Sequence, residues 1–455
     1  MIGKLLKIYV VKNNKLIGFL DQKQDGIVVF DYEESISYQH YLHGISKQYN
    51  ESEILFSVFE NLLPENEQLE QIKIHNAIKR EIDILLYLDN IHGSFEFYTK
   101  SDYEKLELKE DLEFKYSNVR EKILEEDYTF PNILEYTLDI NEDILYPQEL
   151  KIGRATGLSG FQYKFSVNKN DDLKTITYSK TQSNYMMKPY SLYNGIYKKP
   201  SDQEGSYIPY LLINEHIFMT IARDFGFHVP YNGIIKDKND YHYIIKRYDR
   251  HDMVKIDHHD ILTLLNKHSK EKYHIKVNEI AEIALDYLDE NELFELFSFF
   301  VFSVIISHGD LHAKNISFIF KTNSLSEKEM QLAPYYDIST TSIYRGLSDR
   351  DIGMRIKNKT HNIKREDFIW LAKIFKIDEE KAITCIQSFS TQFIKEFKNY
   401  IDKLPDSIKS LPVQTNVVGY TEPLESIFLK YYNKRVTYIN KYLLNRKNIT
   451  LNPWA

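Results

Sequence analysis

The stretch that most restricts what this chain can fold into runs from Leu293 to Ile306. It is an apolar run broken only by Glu295, Ser298 and Ser303, and it leads at once into Ser307-His308-Gly309-Asp310-Leu311-His312-Ala313-Lys314-Asn315 and then into the apolar, strand-like ISFIF. The run is shorter than the roughly 20 residues that a membrane-crossing helix needs, so it reads as a buried helix. A polar loop held between two buried elements is a good place for a positioned carboxylate. Asp310 and Asn315, five positions apart, suit proton acceptance from an attacking hydroxyl and metal binding, respectively, and Lys314 suits neutralisation of a transferring phosphoryl group. A second acid, Asp337, lies further on in Ala333-Pro334-Tyr335-Tyr336-Asp337-Ile338. Two oxygen ligands on adjacent loops suit Mg²⁺, which keeps several waters and needs few protein ligands. Taken alone, HGDLHAKN is equally a hydrogen-bonded turn; its joint occurrence with three upstream elements changes the balance.

Lys188 ends the strand-like NYMMK and is followed by Pro189, so its ammonium projects from a β edge where it can meet nucleotide phosphates. In the helical pattern of Leu211, Phe218, Ala222 and Phe225, stopped by Gly226, Glu215 falls on the apolar face. A buried carboxylate without a partner costs several kcal/mol. A salt bridge to Lys188 would remove that cost; a rotated helix with a solvated Glu215 is the alternative. Further upstream, Gly157-Leu158-Ser159-Gly160-Phe161-Gln162-Tyr163-Lys164 sets two glycines before a strand, where backbone N–H groups can approach phosphate. A lone Gly-x-x-Gly is more often a plain turn.

Composition removes other classes. With 58 Lys and Arg against 66 Asp and Glu among 455 residues, the net charge is −8, which excludes a strongly basic nucleic-acid binder. The 43% hydrophobic content, with only 16 Gly and 12 Pro, argues against disorder, collagen and low complexity. The 35 Tyr and 26 Phe are read as core packing. One cysteine, Cys385, allows neither an internal disulfide nor a cysteine-based zinc site, which fits a reducing cytoplasm. The opening MIGKLLKIYVVKNNK reads as a first strand rather than an export signal, no membrane segment is expected, and no fixed-period repeat suggests a solenoid or propeller.

Along the chain, residues 5–32 read as short strands with turns at Asn13-Asn14 and Asp25-Gly26, and residues 49–90 as helical. Residues 101–127 read as a charged connection. Strands return at 163–167, 174–180, 184–188 and 241–247, and after His251 nearly everything reads as helix: 260–266, 275–287, 291–307, 365–376 and 422–445. The fold expected is α+β, with a small β-rich module over 1–110, an α/β unit over 111–247 and an all-helical unit over 248–455.

The ordered set GLSGFQYKFSV, YMMKP, NEHIFMTIARDFGFHVP, YIIKRYDR, HGDLHAKN and APYYDIS resembles the HipA family of bacterial serine/threonine kinase toxins, and the opening KIYVVKNNKLIGFLDQKQDGIVVFDYEES resembles that family's N-terminal module. The resemblance implies an atypical protein-kinase fold with ATP and Mg²⁺ between an α/β N-lobe and a helical C-lobe. It points to Ser159, Gly160, Phe161, Gln162, Tyr163 and Lys164 as the phosphate-binding loop, Lys188 as the nucleotide lysine with Glu215 as its partner, and Ile244, Ile245 and Lys246 as the adenine hinge, with Tyr336 beside the nucleotide. Asp310 would be the catalytic base, His312 and Lys314 its neighbours in the catalytic loop, and Asn315 and Asp337 the metal ligands.

Family members are often autophosphorylated in a Ser-x-Ser-Gly context; here Gly157 takes the first position and Ser159 is the expected site, with Thr156 a lesser substitute. The implied partners are a HipB-like helix-turn-helix antitoxin, through which DNA contact would chiefly run, and a protein substrate of the aminoacyl-tRNA synthetase class, glutamyl-tRNA synthetase being the type case. Phosphorylation of such a target would block translation and arrest growth, the behaviour associated with persistence. Residues 339–367 would shape the substrate cleft, and the basic run 357–365 reads as a solvated face. A small-molecule phosphotransferase of the aminoglycoside or choline kinase type shares HGDLH, and a catalytically inactive antitoxin-binding corepressor is a reading from another class.

Overall fold

Alternating apolar residues at the start of the chain form strands Ile8–Lys12, Lys15–Gln22 and Val28–Tyr32. The first two are joined by Asn13-Asn14, both with positive φ, the geometry a tight hairpin turn of matching twist demands. The computed structural model describes residues 7–107, 115–124, 126–145, 155–156, 163–180, 183–190, 210–237, 240–252, 254–322, 329–344, 350–414 and 420–446. In it these strands belong to an antiparallel five-stranded sheet that Phe95–Tyr98 and Tyr49–Ser52 complete at its two edges. Tyr49–Ser52 stands where a helical segment was expected: it is a polar edge strand with no apolar pattern to announce it. The helical reading holds later in that region, as a 3₁₀ segment at Glu81–Tyr87. The expected connection at 101–127 contains a helix, Tyr116–Leu124, which buries Tyr116, Val119 and Ile123.

The second sheet has seven strands in the order Ile133–Leu134, Asn232–Asp237, Asp240–Lys246, Tyr185–Lys188, Phe165–Asn170, Thr175–Tyr178 and Thr137–Asp139. Helix Leu211–Asp224 lies between this sheet and the C-terminal helices, which is why it is buried on every side from Leu212 to Ala222. Its polar members are engaged. Asn214 donates to the Thr340 carbonyl at 2.8 Å, and His216 meets Asn232 at 2.7 Å. Gly226, at φ +92°, ends the helix as its sequence position indicated.

At the centre of the C-terminal unit stands Glu290–Ile306, opened by a capping box between Asp289 and Glu292. Its last carbonyls are not left bare. Arg435, on helix Leu424–Tyr438, donates to the carbonyls of Val304 and Ile305, and Tyr431 donates to that of Ile306 at 2.7 Å. Arg435 is itself paired with buried Asp351 at 3.1 Å. A cation and a phenol thus satisfy the helix terminus and fix the point from which Ser307–Asn315 departs. The unit is not all helical: His258–Asp260, Ser317–Phe320 and Met330–Leu332 make a three-stranded sheet, and two hairpins join Arg250–His251 to Val254–Lys255 and Pro412–Gln414 to Thr421–Pro423. Ser317–Phe320 is wholly buried, and a buried extended segment must find ladder partners for its backbone groups. Among the described residues no helix is long and apolar enough to cross a membrane. Cys385 lies buried and unbridged in the large core.

Candidate active site

The polar loop after the central helix begins with Ser307 in the left-handed region at φ +57°. Ser307 donates to the Arg350 carbonyl at 2.6 Å, and the His308 carbonyl accepts from the Gly353 N–H at 3.1 Å, so the segment after Asp337 braces the loop from outside. That bracing is tight. A Cβ on Gly353 would strike the Leu311 carbonyl, and one on Gly309 would strike the Thr341 hydroxyl. His312 and Asn315 close the turn, the His312 N–H donating to Asn315 Oδ1 at 2.9 Å. The Asn315 amide also donates to Asp337 Oδ2 at 3.2 Å, which brings together the two residues expected to share a metal. Asp310 alone in this loop is exposed. The surrounding protein raises its carboxyl above the ordinary value, and the negative charge of Asp337 adds to the effect. His312 is buried, and burial pushes its imidazole down to about 3, so it is neutral at physiological pH.

Lys188 occupies the position its sequence context indicated. It ends the strand Tyr185–Lys188, and its ammonium lies 2.8 Å from both Glu215 oxygens and 2.7 Å from Asp337 Oδ1. Glu215 is therefore the buried partner of Lys188, and the alternative of a solvated Glu215 is excluded. Burial works against the Lys188 charge, but Asp337 and Glu215 outweigh it and hold the ammonium above its ordinary range. Burial and the second acid, Asp337, push Glu215 up to about 7 even with Lys188 beside it, whereas Asp337 falls well below the usual carboxylate range because Lys188 and Lys164 face it. Asp337 sits at φ +60°, a conformation uncommon for a residue with a side chain, and its carboxylate stays 40% exposed. Burial and the like charge of Lys188 bring Lys164 down to about 8, against the pull of Asp337, Glu65 and Glu215.

Two side chains that no local pattern marked complete the cluster. Glu65, buried, comes from the N-terminal module and lies 3.3 Å from Lys314 and 2.6 Å from Lys272. These two lysines overcome its burial and hold it down to about 2. Lys314 also donates to Ser269 at 3.0 Å, so the ammonium expected to serve a phosphoryl group is held at the seam with the N-terminal module. Tyr273 donates its hydroxyl to Asp310 Oδ1 at 2.5 Å and sets its ring edge-on to His312, with centroids 5.2 Å apart. Glu65 sits in LLPENEQLE and Tyr273 in SKEKYHIK, and neither stretch differs from an ordinary charged surface segment.

The remaining expected residues are placed unevenly. Ser159, Gly160, Phe161 and Gln162 lie outside the described residues. Tyr163 packs between the N-terminal module and the large sheet. Ile244 and Ile245 point into two different cores from a strand that is paired on both sides. Lys246 ends that strand and donates to Glu126 at 3.0 Å and to the Lys122 carbonyl at 2.9 Å. Tyr248, just beyond, stacks on Tyr336 with centroids 5.6 Å apart, and the Tyr336 hydroxyl donates to the Lys314 carbonyl at 2.5 Å.

This is a molecule whose catalytic-type loop, lysine and two carboxylates converge between a seven-stranded sheet and a helical unit. The same fold is seen in the HipA chain of a Shewanella oneidensis complex of HipA, HipB and operator DNA, which aligns over 96% of this chain and 97% of that one with a TM-score of 0.64 at 16% identity. In sequence, the chain is 29% identical over 332 residues to a Haemophilus influenzae protein that bears the name "Putative kinase", covering 65% of this chain and 84% of that protein. It is 24% identical to Y4dM of Sinorhizobium fredii, over 55% of this chain and 61% of that protein. The family described as HipA-like C-terminal domain matches residues 156–397, and the chain belongs to that family.

Proposed function

We propose that this protein is an ATP- and Mg²⁺-dependent serine/threonine protein kinase acting as the toxin of a toxin–antitoxin pair. The observation that carries the reading is the ammonium of Lys188, held at 2.8 Å from Glu215 and 2.7 Å from Asp337, with Asp337 in turn bonded to Asn315 of the loop that carries Asp310. Lysine as a point charge fits the phosphates of a nucleotide, and the buried Glu215 orients it. A carboxylate and a carboxamide in contact, with the carboxylate partly exposed, are a hard-oxygen donor set that fits Mg²⁺; Asp337 and Asn315 would hold the ion, which neutralises charge on the phosphates when bound. Asp310, exposed and with its carboxyl raised above the ordinary value, accepts the proton of the attacking hydroxyl. Tyr336, half-buried and backed by the buried Tyr248, would offer an aromatic face for the adenine. In this reading residues 1–110, 111–247 and 248–455 are the N-terminal module, N-lobe and C-lobe, with 159–164 as the phosphate-binding loop.

The Shewanella relative forms a complex with HipB and operator DNA. By that likeness we assign a HipB-like antitoxin as partner here, with DNA contact through it; the resemblance of the sequence motifs to the HipA family, and not that complex, is what implies an aminoacyl-tRNA synthetase as the protein substrate. Incubation of the chain and its Asp310→Asn variant with labelled ATP·Mg²⁺ and a bacterial lysate, followed by phosphoproteomics, tests this. Asp310-dependent phosphoserine or phosphothreonine on a tRNA synthetase is the expected result. Label confined to small molecules would instead indicate an aminoglycoside- or choline-kinase-type activity, and no Asp310-dependent label despite ATP binding would indicate a corepressor.

A further inference from the structure

A general base in a phosphotransfer site must be reached by the hydroxyl it deprotonates, at hydrogen-bond distance. Here that position is already filled. The Tyr273 hydroxyl donates to Asp310 Oδ1 at 2.5 Å, and Asp310 is the exposed carboxylate of its loop. The contact is built rather than incidental. Tyr273 follows the single 3₁₀ turn Ser269–Glu271, and the carbonyl of its neighbour Lys272 accepts the Ala313 N–H at 3.2 Å, tying this segment to the catalytic loop by backbone. The ring is set edge-on to His312, and Lys272 Nζ stands 5.3 Å from the ring centroid while pairing with Glu65. A half-buried phenol, an adjacent base and an adjacent cation are the parts a phosphoacceptor site needs.

We propose that Tyr273 is an intramolecular phosphoacceptor of this site, a tyrosine that the protein presents to its own base in the place an incoming substrate hydroxyl must occupy. The inference rests on the phosphotransfer reading above. The phenolic oxygen forms a bond to the γ-phosphorus of a bound nucleoside triphosphate, the bond from that phosphorus to the β–γ bridging oxygen breaks, the nucleoside diphosphate leaves, and the phenolic proton passes to Asp310 and then to solvent. The product places a group of about −2 charge next to Asp310, Asp337 and Glu65. Like-charge repulsion expels it from the cleft, and Asp310 is freed for a substrate in trans. Until then Tyr273 competes with that substrate.

The full-length chain is incubated with ATP·Mg²⁺ and phosphosites are mapped by mass spectrometry, alone and mixed with an Asp310→Asn chain distinguished by isotope labelling. The expected result is phosphate on Tyr273 of the wild-type chain, at a rate independent of protein concentration, and none on Tyr273 of the Asp310→Asn chain. Tyr273→Phe is expected to lose that phosphate and to label lysate protein faster than wild type, without the initial lag. Asp310-dependent transfer to other residues or to lysate protein, with Tyr273 unmodified, would overturn this inference while leaving the kinase reading in place. Labelling of the Asp310→Asn chain at Tyr273 by the wild type would overturn the intramolecular assignment. Absence of any Asp310-dependent transfer would overturn both.

Discussion

Two buried ion clusters, one within Arg247–Arg250 and one around Lys188, differ in one respect. In the first, Asp249 takes Arg247 at 2.7 Å and Arg250 at 2.8 Å, and the Gly93 N–H at 3.1 Å. Further guanidinium donors go to the carbonyls of Asn90 and Ile91 in the N-terminal module, and the three side chains are each only 2% exposed. In the second, Lys188 and Glu215 are as deeply buried, but the third member, Asp337, is 40% exposed and held at positive φ. Both clusters shift the ionisation of their members, so burial and perturbed charge alone do not separate a strut from a site. What separates them is an edge left open to a ligand. The Asp249 cluster turns its charges inward to join two parts of the chain; the Lys188 cluster keeps one carboxylate facing the cleft beside Asn315 and Asp310. The same test disposes of His92, Asp249 and His258, whose ligand atoms lie within 4.8 Å of one another: the Asp249 oxygen nearest His92 is already occupied by two guanidinium groups.

The comparison is most easily broken by removing the central acid of each cluster. Asp249→Ala leaves two buried guanidinium groups unpaired and is expected to cost about 3–5 kcal/mol, read as a loss of denaturant midpoint. Asp337→Ala is expected to leave the midpoint nearly unchanged, because water reaches that edge. Lys188→Met should behave oppositely to Asp249→Ala: phosphoryl transfer falls about 10²–10³-fold, measured with labelled ATP, while Glu215 survives the loss of its partner by keeping its proton. A smaller effect is expected from Glu65→Gln. It leaves Lys272 and Lys314 without their shared carboxylate, and the expected fall in transfer rate is about tenfold, the scale of one weakened positioning contact; an unchanged rate would show that the N-terminal module does not act on the catalytic loop.

The smallest effect is read in protons. His216 and His308, the former on the helix of Glu215 and the latter opening the loop that carries Asp310, are both buried and held down to about 4 by burial. Between about pH 6.5 and 4 the unfolded chain binds protons that these folded side chains refuse, so stability is present above that window and is lost as pH falls through it. Each histidine contributes at most about 1.4 kcal/mol per pH unit. Denaturant melts from pH 7 to 5 should show this slope, and His308→Gln should flatten it by about 1 kcal/mol per unit.

Much of this was legible in the chain. The apolar run before HGDLHAKN, the stop at Gly226 and the awkward Glu215 on an apolar face each carry a local signal, because helix periodicity and the cost of a buried charge act over a few residues. Lys188 and Glu215 could be paired from sequence because each explained the other. Glu65 and Tyr273 could not be found this way: their partners lie more than 200 and 37 positions away, respectively, and nothing in the local pattern sets them apart. The edge strand Tyr49–Ser52 escaped for a related reason, since a strand with one open edge and polar faces has no period-2 apolar pattern. Of the C-terminal sheet, the middle strand was legible as the strand-like ISFIF, whereas its neighbours His258–Asp260 and Met330–Leu332, three residues each, are too short to show a period.

The central claim is that the open cluster is a phosphoryl-transfer centre in which Asp310 is the base and Lys188 the nucleotide contact. It is tested most directly by measuring ATP·Mg²⁺ binding calorimetrically and phosphoryl transfer with labelled ATP on one set of proteins: the wild type, Asp310→Asn and Lys188→Met. The account predicts that Asp310→Asn binds nucleotide like the wild type and transfers nothing, whereas Lys188→Met is weakened in binding and transfer together. Transfer that survives Asp310→Asn, or nucleotide binding indifferent to Lys188, would contradict it.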